Sequence, residues 1–67
     1  MTLVFPQDDE IKKYSSAHIY LKNHSLNKVS IGGGIVSAYA DTYSVNIKSN
    51  RSYATYNADD VTAVVFE

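Results

Sequence analysis

Apolar residues recur along this chain with two different spacings. From Pro6 to Tyr14 the order is Pro-Gln-Asp-Asp-Glu-Ile-Lys-Lys-Tyr, with Ile11 and Tyr14 three positions apart on one side. Pro6 suits a first turn, Asp8, Asp9 and Glu10 favour the positive end of a helix, and Lys12 and Lys13 favour its negative end. The spacing predicts a short helix over about residues 6–14, stopped by Ser15 and Ser16 and lying over an edge or end of something larger. Beyond it the period drops to two. Ile19 and Leu21 oppose His18, Tyr20 and Lys22, and Tyr43, Val45 and Ile47 share a face. Strands are expected over 17–22, 28–39, 43–48, 52–56 and 61–66, separated by turn-forming runs at 23–27, 41–42, 49–51 and 57–60.

One helix and five short strands in so short a chain imply a mainly β fold, a strongly bent five-stranded small barrel, because a flat sheet of this size could not enclose a core. Gly32, Gly33 and Gly34 fall together in the long second strand, where the chain must turn from one half of the barrel to the other. They do not read as a phosphate-cradling loop, since no Lys-Ser/Thr pair or helix start follows. In the last strand Val61, Ala63 and Val65 form one apolar face, and Val64 and Phe66 make the other largely apolar too. Pairing with another subunit would cover that excess, as would the helix.

Composition sharpens this picture. The 67 residues form one domain, 1–67, which is small enough that some staple is expected, and with no cysteine the remaining staple is oligomerisation. Hydrophobic residues are 45% and charged residues 19%, which argues against disorder. No basic leader or membrane-spanning apolar run is present, so a soluble, cytoplasmic protein without membrane association is expected. Net charge is −1, but all six basic residues lie between positions 12 and 51, where Asp41 is the only acid, leaving that stretch at +5. Such a stretch is either scattered surface charge or a basic patch.

Motifs for chemistry are scarce. His18 and His24 have no third metal ligand at a convincing spacing, and the serines have no nucleophile elbow around them, so neither metal, cofactor nor catalysis is expected. Asp59 and Asp60 read as a turn rather than a carboxylate pair, and the sequons at Asn23 and Asn50 have no meaning without export. Six tyrosines are the conspicuous feature. Most fit strands simply because tyrosine packs on a pleated surface, and Tyr53, mid-strand, is expected to be structural. Tyrosines at loop ends are also what single-stranded nucleic-acid binders use to stack bases, and Tyr43, after the Asp41-Thr42 turn, is placed to point outward.

The segments Ile19-Tyr20-Leu21-Lys22-Asn23, Gly34-Ile35-Val36-Ser37-Ala38-Tyr39-Ala40-Asp41-Thr42-Tyr43, Tyr56-Asn57-Ala58 and Val61-Thr62-Ala63-Val64-Val65, in this order after a short helix, resemble the Sm-like (LSm) family, nearest its bacterial Hfq branch of RNA chaperones. The resemblance spans about residues 6–66 and implies an Sm-like, SH3-like small barrel. In that family the second strand ends in an aspartate that organises the following loop, the place taken by Asp41. The residue two further on stacks on a base at a ring pore, which the resemblance assigns to Tyr43, with Thr42 between. A polar residue between the fourth and fifth strands adds to the same pocket, here Asn57. Sm proteins carry an asparagine four residues after the aspartate; Val45 stands there, and Asn46 follows one position later. Asp59-Asp60 lengthens the last loop, and neither the Lys-His pair of the bacterial branch nor the Arg-Gly of Sm proteins is present.

The resemblance implies subunits joined edge to edge, fourth strand against the neighbour's fifth, in a homo-oligomeric ring of roughly five to seven copies. Two functions then compete. One is non-catalytic binding of short A- or U-rich single-stranded RNA at the pore; the other is an oligomeric protein-interaction or structural module without nucleic acid.

Overall fold

The computed structural model describes residues 5–22 and 25–67; Asn23 and His24, which the sequence places in the first turn, its sequon and the histidine pair, lie outside them. The fold is mainly β, with helix α1 (Asp8–Ile11) followed by strands β1 (Ser16–Leu21), β2 (Lys28–Gly32), β3 (Ile35–Ala40), β4 (Ser44–Ser49), β5 (Tyr53–Asn57) and β6 (Val61–Phe66). A 3-10 turn, Ala58–Asp60, joins β5 to β6. No helix among the described residues is long and apolar enough to cross a membrane.

The helix is one turn, shorter than the expected 6–14. Gln7 precedes it without a side-chain cap, and Ile11 is its only buried residue. With a single anchor and no cap, nothing offsets the cost of extending so short a helix. Ser15 and Ser16 then donate their N–H groups to the carbonyl of Glu67, which draws the chain into β1.

The expected strand 28–39 is two strands, so six strands stand among the described residues where five are expected. They form two antiparallel three-stranded sheets, ordered β2-β1-β6 and β3-β4-β5, rather than a closed five-stranded barrel. The division falls at Gly33 and Gly34, with φ of 93° and 96°, a region that only glycine enters readily. Local hydrogen bonds hold the kink on both sides. Gly34 N–H donates to Ser15 O at 2.9 Å and Ile35 N–H to Tyr14 O at 3.0 Å, while Asn50 Nδ2 donates to Gly33 O at 2.9 Å and Asn50 N–H to Gly34 O at 3.0 Å. Asn50 is positioned by Ser49, the one buried polar residue among those described, whose hydroxyl accepts from Arg51 and Ser52 N–H and donates to Ser52 O.

Between the sheets lies one core. Ile19 on β1, Val45 and Ile47 on β4 and Ile11 on α1 are its largest fully buried side chains. β6 differs from the simple alternation. Its pairing with β1 shifts between Tyr20 and Leu21, so Val61 pairs with Leu21 but Val64 pairs with Ile19 and Phe66 with Ala17. One extra residue therefore turns Val64 and Phe66 to the core side with Val61, and Val65, 44% exposed, turns out. The Phe66 ring packs against Phe5 at 5.5 Å and Tyr14 at 5.7 Å between centroids, so the segment around α1 covers much of the expected excess.

The kink supplies a test of this arrangement. A Cβ at Gly34 would meet Asn50 Nδ2 at 2.7 Å on a backbone of φ +96°, whereas one at Gly32 would find only ordinary contacts at 3.7 Å. Gly34→Ala is expected to lower the unfolding free energy by about 1 to 3 kcal/mol, and Gly32→Ala to leave it within about 0.5 kcal/mol. Urea denaturation of the two variants beside the unaltered chain measures both.

Candidate functional site at the Asp41 loop

The turn from β3 to β4 is built by one carboxylate. Asp41 Oδ1 accepts the N–H groups of Tyr43 and Ser44, each at 2.8 Å, and Asp41 N–H donates to Ser44 O at 3.0 Å. Oδ2 takes a longer bond from the Tyr39 hydroxyl at 3.4 Å. An aspartate that bonds the backbone two and three residues ahead is a side-chain substitute for a backbone turn, which explains an acid at this point of an otherwise basic stretch. The Ser44 and Tyr43 N–H groups, in that order, hold the Asp41 carboxyl below the usual carboxylate range, because they favour its charged form.

With Asp41 so engaged, Thr42 and Tyr43 are pushed outward, and Tyr43 is 81% exposed. Its carbonyl is fixed from the other side by Ala58 N–H at 2.9 Å, and Ser44 pairs with Asn57 across β4 and β5. The structure thus brings Asp41, Thr42, Tyr43 and Asn57 to one end of the molecule. Asn46 sits elsewhere. It faces outward from the middle of β4, where its amide donates to Ser44 Oγ at 3.0 Å and accepts from Thr55 Oγ1 at 3.0 Å.

Beside the loop is an open depression of about 280 Å³ lined by Lys22, Asp41, Thr42, Ala58, Asp59 and Val61. Lys22 was not singled out by the sequence. It enters because its N–H donates to Asp60 O at 2.8 Å, which ties the end of β1 to the 3-10 turn. Asp59 and Asp60 form that turn, as expected. His18 lies apart, sharing a hydrogen bond between Nδ1 and Ser30 Oγ at 2.7 Å, with Nε2 3.4 Å from Glu67 Oε1.

The tyrosines divide by exposure. Tyr14 and Tyr56 are half-buried against the core, whereas Tyr39 and Tyr53 are 60% and 76% exposed. Tyr53 is therefore not the structural residue expected. It opens β5 opposite Lys48, on the face of β4 away from the core residues Val45 and Ile47.

Comparison with models of protein families, with characterised proteins and with solved structures finds no match to this chain.

Asp41 makes a pH test. Its folded pKa lies below the ordinary 3.8, so its contribution to stability is fully present above that value and is lost as pH falls through the lower folded value. Asp41→Asn keeps an acceptor but cannot titrate. The stability difference between the two proteins should therefore be constant near neutrality and shrink on acidification below about pH 4, as followed by thermal melts across pH.

Proposed function

We propose that this protein is a non-catalytic Sm-like ring protein that binds short, A- or U-rich single-stranded RNA by stacking bases on Tyr43. The observation that carries the reading is the state of that ring: largely exposed, yet mounted on a backbone that Asp41 and Ala58 fix by hydrogen bonds. An aromatic held so loses little freedom when a base settles on it, and stacking tolerates any base because each has a π face. Asn57, across from Ser44, supplies an amide at the same end, and Lys22 supplies one cation for phosphate, beside the carboxylates of Asp41 and Asp59.

The strand order supports the assembly part of the proposal. Like β2 and β3, β5 and β6 are edge strands of their sheets. Each has backbone groups open to one more strand, and β5 of one copy against β6 of the next is a head-to-tail contact that closes into a ring of five to seven if the angle is right.

Removing the Tyr43 ring opens no cavity, since so little of it is buried. Tyr43→Ala should keep its melting temperature and its oligomer in native mass spectrometry, and lose about 1 to 3 kcal/mol of affinity per bound base. Fluorescence anisotropy with oligo-A and oligo-U at two salt concentrations reads the loss, and binding must weaken as salt rises. A stable monomer refutes the ring. A ring that binds neither oligonucleotide is a structural or protein-interaction module instead.

A further inference from the structure

Outward-facing residues of β3, β4 and β5 form two rows across the sheet, Tyr39–Asn46–Thr55 and Ser37–Lys48–Tyr53. The structure assigns this face a ligand class: we propose that it is a track for an extended, pyrimidine-rich single strand leaving the Tyr43 loop, a proposal that rests on the RNA reading above. Tyr39 and Tyr53, 60% and 76% exposed, stand on the two strands flanking β4 and one row apart. Two strand spacings and a two-residue step separate them by about 12 Å. That equals three to four of the roughly 3.4 Å steps between stacked bases, and a base that lays a face on either ring gives up a neighbour in its own stack to do so.

Lys48 stands in the row with Tyr53 and makes no ion pair among the described residues, so its ammonium is available to a phosphate between the two rings. Arg51 is exposed in the turn just before Tyr53 and adds a second cation at the far end of the track. The acid nearest the track is Asp41, at the Tyr43 end, and its carboxylate is already engaged by two backbone N–H groups. Asn46 and Thr55 satisfy each other between the rings, so the face has aromatic platforms and cations but few free amides to read base edges. Selection then follows the ease of unstacking, which favours pyrimidine runs over oligo-A.

The test compares oligo-U of about 4 and about 16 nucleotides, lengths that span the usual site sizes of single-strand binders. The longer strand should bind more tightly, and more tightly than oligo-A of equal length. Tyr53→Ala should weaken the longer strand roughly five- to hundredfold while leaving the shorter one unchanged, and Tyr53→Phe should restore it. Lys48→Gln should weaken only the longer strand and flatten its salt dependence. Tyr43→Ala should weaken both lengths. Circular dichroism establishes that each variant is folded. If Tyr53→Ala and Lys48→Gln bind the longer strand as the unaltered chain does while Tyr43→Ala does not, the track is overturned and the Tyr43 site stands. If the unaltered chain binds neither length, both fall.

Discussion

Everything in this molecule is hinged on two consecutive peptides. At Gly33 and Gly34 the chain leaves one sheet and enters the other, and four hydrogen bonds hold it there, two donated to the carbonyls of Ser15 and Tyr14 and two donated by Asn50. A continuous strand over 28–39 would carry one flat ladder with no second layer to bury Ile19 or Ile47 against. The kink instead sets β2-β1-β6 and β3-β4-β5 around one core, and α1 packs against β3 with Ile11 buried. The backbone donors and acceptors that a break in a strand would strand without partners are met by the start of β1 and the turn after β4.

The same hinge decides which residues meet solvent. Once β3 is turned, its end at Ala40 and the end of β5 at Asn57 come to one side, and the Asp41 turn and the Ala58–Asp60 turn face each other across the Tyr43 carbonyl bond. Polar side chains form a chain outward from there. Asp41, Ser44, Asn46 and Thr55 are linked in sequence by hydrogen bonds, so the loop that carries Tyr43 is continuous with the outer face of β4. Local order at the loop thus comes from backbone groups as much as from packing.

Legibility in the sequence followed the strength of the local rule. Alternation over β1 is strict, and Ala17, Ile19 and Leu21 are buried as it requires. The Asp41 turn was readable because aspartate's bond to its own backbone needs nothing distant. The three glycines mark where the bend falls but not that the strand ends there, since only the positive φ values separate a bend from a break. Alternation misleads in β6 because its register depends on β1, and a one-residue shift that no local signal marks sends Val65 outward. Lys22 is hidden for a similar reason: it meets the loop through a backbone bond to Asp60, which spacing along the chain does not reveal. Tyr53 looked structural because β propensity says that a tyrosine suits a strand, not which side it will face.

The two sheets differ in how far along the chain their strands must search for one another. β3, β4 and β5 follow in order with short turns between, so each pairs with its immediate successor. β1 pairs with β6 across almost the whole chain, and the bond from Ser15 Oγ to Glu67 O joins residues 52 positions apart. Closing so large a loop is entropically costly until there is a surface to receive it. The turned meander, with Val45 and Ile47 on one side, is such a surface, and the β1–β6 ladder is the part of the fold that costs the most chain entropy to close.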